Sequence, residues 1–458
     1  MFHFFTKPMP ITRKLTLSFV FLILIGSILL SLPIMHYKDA VATTYFDHLF
    51  TTISMVCVTG LSVFPVGEVY NGLGQFICMI LIQFGGLGLV TLFALSSYTL
   101  NKRISLQEQN LLQSALNYDS AKNLKYYLFN VYKITFFIES LSALLLMFDF
   151  IPRFGIKNGI FNSLFLAISG FCNAGFDNFS SNSLLDFKTN IPVNLILSFL
   201  IISGGLGFTV WINLIENVHY FFKQKPRQFK KVLFKLTTHS KLVLQTTGII
   251  LIVGTLLSLL LEFNNSKTIG NLTIFQKIIA SFFQSVTMRT AGFATINYTL
   301  SHYSTNLIYT IQMLIGGAPG GTAGGFKITV FAILILMFRS ELKGRQTIQY
   351  HTRTISSQLV RQTLIVLIFF FTILISGFFL LLITDPQLNP FALFFEASSA
   401  LATVGVTMDT TSHLSQLGRA IIMALMFIGR VGPLTVLLSM VTKKEKNIKY
   451  ANAKIIIG

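Results

Sequence analysis

The sequence predicts an all-α integral membrane fold in which four tandem repeats surround a common axis. Only 11% of the 458 residues are charged, whereas 53% are hydrophobic. A soluble domain carries roughly 25% charged residues, so this chain has too little polar surface to face water on every side. A glycine-centred motif also recurs four times, and the basic residues concentrate between its recurrences.

The recurring motif is centred on Gly60, Gly175, Gly292 and Gly405, at intervals of 115, 117 and 113 residues. A phenylalanine stands ten residues before each glycine, and an apolar residue follows it. Near-constant spacing of one motif indicates repeated structural units. We therefore expect four repeats, which cover residues 1–101, 102–222, 223–338 and 339–458.

Each repeat contains a long apolar run, a short apolar run, the glycine motif and a second long run. A helix needs about 20 apolar residues to cross a bilayer, and a shorter run suggests a segment that enters and leaves on one side. The eight predicted transmembrane helices are Leu15–Met35, Gly74–Leu95, Tyr126–Phe150, Ile191–Phe222, Ser240–Phe263, Leu307–Phe338, Val360–Thr384 and Leu417–Val441. The four predicted short helices are Thr44–Val56, Ile160–Phe171, Leu272–Val286 and Pro390–Leu401.

The net charge of +19 predicts the topology. Cytoplasmic loops of membrane proteins carry an excess of Lys and Arg, and this rule explains the basic charge better than nucleic-acid binding does. We expect a multi-pass protein in the lipid bilayer with both termini cytoplasmic and no nucleic-acid partner. The basic segments are Lys7–Lys14, Lys102–Lys125, Lys223–Lys241, Arg339–Arg361 and Lys443–Lys454.

The four glycine motifs predict a cation pathway. Backbone at membrane depth must be hydrogen-bonded or line a water-filled cavity. Potassium filters replace the hydration shell of the ion with backbone carbonyls, and glycine permits the positive φ that such bent backbone needs. We expect helix–pore-helix–filter-loop–helix repeats around one pseudo-fourfold central pore. The residues of these four glycine loops, expected to bind K+ through backbone carbonyls, are Val58, Thr59, Gly60, Asn173, Ala174, Gly175, Thr290, Ala291, Gly292, Thr403, Val404 and Gly405.

A glycine-rich segment, Gly316–Gly325, interrupts the predicted helix Leu307–Phe338. Each glycine costs a helix about 1 kcal/mol and the proline about 3 kcal/mol, so we expect a break inside the membrane. The break is either a packing kink or a gate that obstructs the pore, and we favour the gate. A phosphate-binding loop is excluded because Lys327 lacks the Gly-Lys-Ser/Thr order. The candidate gate residues are Gly316, Gly317, Gly320, Gly321, Thr322, Gly324, Gly325, Lys327 and Arg430.

Arg430 is the candidate gate residue farthest from that segment in sequence. An arginine within a membrane span is costly and usually functional. It either lies beside the gate or bonds the carbonyls of a broken helix. The related motifs Gly85–Gly88 and Gly204–Gly207 are expected to be bends and sites of close helix packing.

Three other charged residues lie close to the glycine loops in sequence. Arg289 is expected to be an extracellular-side or loop-supporting residue, because a cation in the pore would repel K+. Asp47 and Glu396 either stabilise the glycine loops, attract cations, or make local capping and hydrogen-bond contacts. The three cysteines are expected to be packing residues rather than ligands or disulfides, since no CxxC spacing occurs.

The glycine loops resemble those of the Trk/Ktr/HKT superfamily of potassium transporters, in which one chain holds four potassium-channel-like units. The eight predicted spans and the terminal Ala453–Gly458 resemble KtrB-type bacterial subunits. The resemblance implies K+ uptake across a bacterial plasma membrane and a gating role for Gly316–Gly325. It also implies K+ selectivity, because Na+-passing relatives carry Ser at the position of Gly60.

The same resemblance implies the partners. It suggests a homodimer with one pore per chain, and a cytosolic nucleotide-binding regulatory ring of the RCK type. The basic segments Lys223–Lys241 and Arg339–Arg361 are its expected docking surface. We expect no cofactor bound by this chain, with K+ as the transported ion and Na+ as a second transported or coupling ion.

Two other functions are compatible with an apolar chain of this kind. A Na+-coupled secondary carrier with broken helices usually shows two inverted repeats, whereas four parallel repeats are predicted here. An intramembrane enzyme would need a nucleophile–base pair or metal ligands, and neither HExxH nor GxSxG occurs. We therefore expect a transporter and no enzymatic activity.

Overall fold

The computed structural model describes residues 11–88, 124–179, 183–223 and 235–432. Their α-helices are α1 (Ile11–Leu30), α2 (Tyr45–Val56), α3 (Val66–Val69), α4 (Gly72–Leu87), α5 (Leu124–Cys172), α6 (Ile191–Gly205), α7 (Phe208–Lys223), α8 (Thr238–Glu262), α9 (Ile274–Thr287), α10 (Tyr303–Leu314), α11 (Ile328–Leu342), α12 (Ser357–Thr384), α13 (Pro390–Leu401) and α14 (Gln416–Val431). A hairpin of β1 (Gln349–Tyr350) and β2 (Arg353–Thr354) separates α11 from α12. Short 3-10 helices occur at Pro33–Met35, Leu185–Phe187 and Thr411–His413.

Three of the described helices, α5, α8 and α12, are long and apolar enough to cross a membrane. The bent pair α6 and α7 makes a fourth candidate if it is counted as one span. Two other predicted spans are described only in part: within the described residues, α4 ends at Leu87 and α14 ends at Val431. The predicted ends at Leu95 and Val441 lie outside the described residues.

Helix α5 contains both the predicted span Tyr126–Phe150 and the predicted short helix Ile160–Phe171. The two parts are separated at Gly155, whose φ of 79° and ψ of 167° are not helical. After this reversal the chain folds back on itself, because a Cβ at Gly159 would lie 2.7 Å from the Cα of Ile151. The short helix therefore begins after Gly155 and ends at Cys172.

The predicted span Ile191–Phe222 consists of two helices with a bend between them, at the motif Gly204–Gly207. Helices α6 and α7 meet at an angle of 102°. Gly207 lies between them with a φ of 82°, and glycine adopts this left-handed conformation without a side-chain penalty. The backbone N–H of Phe208 then donates to the carbonyl of Gly320, 3.2 Å away, instead of continuing the helix.

The contacts between helices of successive repeats form a closed circle, in which the last repeat packs against the first. Helix α4 packs against α5, α6 against α9, α10 against α13, and α14 against α2. In each case the helix that follows one glycine loop contacts the short helix that precedes another. An ion pair joins the last and first of these elements, with 2.8 Å between Arg419 Nη1 and Asp47 Oδ1.

Carboxylates link the helices that precede and follow three of the glycine loops; Glu262 and Asp385 are buried, whereas Asp149 is half-buried. Each lies at or near the end of the first long helix and accepts a hydrogen bond from the residue that precedes the second. A carboxylate that accepts such bonds stabilises the helix start. Asp149 also pairs with Arg153 at 3.0 Å, whereas Glu262 and Asp385 form no ion pair among the described residues. The pairs are Asp149 with the Asn190 side chain at 2.9 Å, Glu262 with the His302 N–H at 2.9 Å, and Asp385 with the Ser415 N–H at 2.6 Å.

The three cysteines are free and buried, as expected for packing residues. Cys57 and Cys172 end the short helices of the first two repeats, and Cys78 lies within α4. A thiol at these positions behaves as a small apolar side chain.

Candidate functional site

The four glycine loops share one backbone conformation. The residue two before the central glycine has a positive φ in every loop, and so does the glycine. Positive φ is uncommon outside glycine, and for β-branched residues it marks a strained backbone of the kind that clusters at ligand sites. The φ values are 55° and 103° at Val58 and Gly60, 58° and 71° at Asn173 and Gly175, 65° and 85° at Thr290 and Gly292, and 51° and 98° at Thr403 and Gly405.

The loops lie against one another in a closed order. A Cβ at Gly60 would lie 2.8 Å from the carbonyl oxygen of Ala174, and one at Gly175 would lie 2.6 Å from that of Ala291. A Cβ at Gly292 would lie even closer to the Val404 carbonyl oxygen, and a Cβ at Gly405 even closer to that of Thr59. The four loops therefore form a ring, in which each glycine leaves room for the carbonyl before the next glycine.

Serine hydroxyls hold three of the four loops in place. Ser54 Oγ accepts a hydrogen bond from the Gly60 N–H at 3.1 Å, and Ser399 Oγ accepts from the Gly405 N–H at 3.0 Å. Ser169 Oγ accepts from the N–H of Phe176 at 3.0 Å. The sequence interpretation missed these serines, although each stands six residues before its glycine and the repeat alignment contains that signal.

The third loop is held differently. Val286 occupies the position of the serine, and Thr287 Oγ1 instead donates to the Phe293 carbonyl at 2.8 Å. The aromatic register also shifts by one residue, since Phe283 is fully buried while Phe282 is half-buried. The phenylalanines that precede the other three glycines by ten residues, Phe50, Phe165 and Phe395, are fully buried.

The glycine-rich segment lies between the end of α10 at Leu314 and the start of α11 at Ile328. The Ala318 N–H donates to the Gly205 carbonyl at 2.8 Å, and the Thr322 N–H donates to the Gly204 carbonyl at 3.1 Å. The segment therefore rests on the carbonyl groups at the end of α6, where the α6–α7 bend ends the helix. Its other side touches a glycine loop, because a Cβ at Gly324 would overlap Thr403 Oγ1.

Comparisons with known proteins identify the family. The sequence profile of TrkH, described as a cation transport protein, matches residues 13–450. The chain belongs to the TrkH family. TrkH-family membership makes it a membrane cation transporter, which confirms the expectation of a transporter rather than an enzyme.

This TrkH-family chain is also similar to individual proteins over nearly its whole length. It is 36% identical to the Ktr system potassium uptake protein B of Bacillus subtilis over 455 residues, covering 99% of this chain and 97% of that protein. It is 36% identical to the potassium/sodium uptake protein NtpJ of Enterococcus hirae, covering 99% and 98%. The crystal structure of the potassium transporter TrkH from Vibrio parahaemolyticus has a TM-score of 0.72 at 17% identity, covering 95% of this chain and 86% of that one.

Arg430 connects three parts of the TrkH-family site. Its guanidinium donates to the carbonyl of Thr322 in the glycine-rich segment, to that of Gly85, and to that of Gly86 at 2.9 Å. Gly85 and Gly86 lie at the end of α4, where unpaired carbonyls form the negative end of the helix. The arginine therefore bonds carbonyls at the end of α4 and also touches the glycine-rich segment.

Lys327 is the second cation beside this segment. Its Nζ donates to the Ala323 carbonyl at 2.7 Å. Within the described part of the chain, neither Lys327 nor Arg430 forms an ion pair. Arg430 bonds carbonyls at the C-terminal end of α4, which is typical of cations at helix C-termini. Lys327 instead precedes the start of α11 and bonds a carbonyl of the glycine-rich segment.

The remaining charged residues near the loops have local contacts. Asp47 forms a capping box with Thr44 at the start of α2 and pairs with Arg419. Glu396 is buried and accepts hydrogen bonds from the hydroxyls of Thr407, at 2.6 Å, and Thr411. Arg289 is 4% exposed and its Nε has no hydrogen-bond partner among the described residues.

Proposed function

We propose that this chain takes up K+ across the plasma membrane as the membrane subunit of a Ktr-type potassium transport system. The observation that carries the proposal is the closed ring of four glycine loops. The ring brings the carbonyls of Thr59, Ala174, Ala291 and Val404 close to the glycines of neighbouring loops. Rings of backbone carbonyls are the chemistry that replaces the hydration shell of K+.

The proposed architecture has four repeats with eight transmembrane helices around one pseudo-fourfold pore. It is supported by the closed packing order of α4, α6, α10 and α14 on the four short helices. The repeat ranges are those predicted from the sequence, and the twelve loop residues form the selectivity filter. The three threonine hydroxyls of these loops, at Thr59, Thr290 and Thr403, have no hydrogen-bond partner among the described residues and add oxygen ligands.

The choice of potassium rests on the relatives and on the filter chemistry. The Bacillus subtilis relative is a potassium uptake protein, and that of Enterococcus hirae is a potassium/sodium uptake protein. Gly60 occupies the position where a serine would add a Cβ against the Ala174 carbonyl. We propose K+ as the selected ion, and flux measured with and without a Na+ gradient tests whether Na+ is coupled to its uptake.

The glycine-rich segment is the proposed gate. It touches the glycine loop at Thr403, rests on α6, and bonds Arg430. A segment in this place, between the filter and the start of α11, obstructs the route that an ion takes after leaving the ring. The candidate gate residues predicted from the sequence, including Lys327, keep this role as a proposal.

The regulatory partner is proposed to be a cytosolic nucleotide-binding ring of the RCK type, acting on a homodimer of this chain. We propose that both termini lie in the cytoplasm, as the positive-inside rule predicts. The Ktr system name of the relatives supports a second subunit, because it describes this kind of chain as one protein of a system. The loop between α11 and α12, with its hairpin, is a proposed docking surface because α11 leads to it directly from the gate.

A Na+-coupled carrier is the second candidate function. The interruption between α10 and α11 and the bend between α6 and α7 are features that carriers with broken helices also have. The closed ring of four equivalent loops favours the pore, because a carrier built from two inverted repeats does not predict four loops with the same backbone conformation.

Rubidium uptake into proteoliposomes tests the proposal. Vesicles loaded with K+ and containing the purified chain should accumulate radioactive rubidium without any Na+ gradient. A carrier would instead require the Na+ gradient and transport the two ions in a fixed ratio. Rubidium uptake no greater than in protein-free vesicles would refute both functions.

A further inference from the structure

A buried carboxylate lies inside the membrane next to the helix end that Arg430 contacts. Glu139 belongs to the long first part of α5 and is 6% exposed. Gln83 Nε2 donates to its Oε1 at 3.1 Å, across the contact between α4 and α5. A carboxyl group inside a membrane span is costly, and such groups usually have a functional partner.

The bond between Gln83 and Glu139 lies close to the Arg430 contacts. Gln83 precedes Gly85 and Gly86 by two and three residues on α4. The Gln83 Oε1 accepts a hydrogen bond from Cys172 Sγ at 3.6 Å, so both ends of its amide are held. The amide therefore fixes the last turn of α4 against α5.

Close packing leaves this turn little freedom in other directions. A Cβ at Gly86 would lie 2.6 Å from Cys172 Sγ, and one at Gly85 would overlap the Val56 carbonyl. The last turn of α4 is wedged between the short helices of the first two repeats. The carbonyls of this turn therefore hold the guanidinium of Arg430 in a fixed position.

We propose that Glu139 and Gln83 are positioning residues that hold the Arg430 contact with the gate. The inference rests on the proposed function of Gly316–Gly325 as a gate. Glu139 acts through Gln83 on the carbonyls of Gly85 and Gly86. These carbonyls anchor Arg430, which in turn holds Thr322 of the gate in place.

Two buried hydroxyls on the same face of α5 serve as matched controls. Thr135 and Ser142 are four residues before and three residues after Glu139, so they share its helix face. Both are buried, and their hydroxyls have no hydrogen-bond partner among the described residues. Thr135→Val therefore changes the same surface without touching the bond to α4.

The test measures rubidium flux through the purified chain in proteoliposomes without its regulatory partner. Glu139→Leu should raise this flux roughly fivefold, the factor expected for the loss of one buried hydrogen bond. Glu139→Gln keeps an acceptor for Gln83, so its rubidium flux should stay close to that of the wild type. Thr135→Val should leave flux unchanged, and the K+/Na+ flux ratio should stay constant in all three variants.

A double-mutant cycle separates positioning from general destabilisation. If Glu139 acts through Arg430, Glu139→Leu adds nothing to the flux of Arg430→Gln. The same fold increase in both backgrounds, or an increase shared by Thr135→Val, would overturn the inference. Gln83→Leu makes the same test from the α4 side if Glu139→Leu does not fold.

The same measurements distinguish failure of the inference from failure of the proposed gate. If Arg430→Gln leaves flux unchanged in folded protein, the gate assignment fails and the inference with it. If Arg430→Gln raises flux while Glu139→Leu and Gln83→Leu do not, the gate stands and the positioning role of Glu139 is wrong.

Discussion

At the scale of single residues, the four central glycines are required for two separate reasons. Each has a positive φ, which a side chain disfavours, and each faces a carbonyl oxygen that a Cβ would overlap. The crowding is unequal, because the Cβ position of Gly405 is much closer to the Thr59 carbonyl than that of Gly60 is to the Ala174 carbonyl. Equivalent substitutions should therefore have graded effects.

We predict that Gly60→Ser lowers the K+/Na+ uptake ratio by roughly tenfold, since a left-handed non-glycine residue costs about 1–2 kcal/mol. Gly405→Ser should abolish K+ uptake, because its Cβ cannot be accommodated without moving the Thr59 backbone. Uptake of both ions should be measured in cells that lack other K+ systems, with expression checked in the membrane fraction.

Gly248→Ala is the control for these two variants. Gly248 lies within α8, and a Cβ there meets no atom within 4 Å. Its uptake and ion ratio should equal those of the wild type. An unchanged ratio in well-expressed Gly60→Ser, or equal losses in Gly60→Ser and Gly405→Ser, would contradict the ring geometry.

At the scale of elements, the glycine-rich segment is a closed loop with adjacent ends. The Gly316 N–H donates to the Phe326 carbonyl at 3.0 Å, and the Phe326 N–H donates to the Leu314 carbonyl at 3.3 Å. These bonds hold the end of α10 beside the start of α11. The middle of the segment can therefore be removed without separating the two helices.

We predict that deleting residues 318–323 raises K+ flux through the folded protein. The deletion removes the contacts with Gly204 and Gly205 and the carbonyl of Thr322 that Arg430 contacts. Flux into proteoliposomes should be compared with the wild type after monodispersity has been confirmed. A folded, inserted deletion variant with wild-type or lower flux would show that the segment is a packing element and not a gate.

At the scale of the whole molecule, α11 connects the proposed gate to an exposed basic loop. The loop contains the exposed side chains Lys343 and Arg345 and the hairpin residue Arg353. The hairpin is tied to α8, because Tyr350 Oη donates to Gln245 Oε1 at 2.5 Å. A partner bound here can move α11 only if it binds the open and closed states with different affinity.

We predict that replacing Lys343, Arg345 and Arg353 with alanine weakens binding of the regulatory ring and removes the nucleotide dependence of flux. Binding and flux should be measured on the same preparation. The charge-matched control replaces three exposed lysines elsewhere in the chain, Lys38 and Lys267 in loops and Lys157 in α5. Equal binding and nucleotide response in wild type and the basic-loop variant would rule out this docking surface.

Part of the fold and of the candidate site could be predicted because it depends on residues that are neighbours in the sequence. The glycine loops, the short runs before them and the break at Gly316–Gly325 are patterns of neighbouring residues. The glycine at position 207 shows the limit of such patterns. Its motif predicted a bend or close packing, but the apolar run around it was interpreted as one span, and only the hydrogen bond from Phe208 to Gly320 shows why the helix turns.

The sequence by itself determined the membrane class, the family and the positions of the four glycine loops, because apolar content and motif spacing are properties of the chain alone. Tertiary structure decided which carbonyl each glycine faces, which groups Arg430 contacts, and that Glu139 meets Gln83. These contacts join residues that are far apart in the sequence: 56 positions separate Gln83 from Glu139, and 345 separate Gly85 from Arg430. No local preference encodes them, since they exist only once the helices have packed.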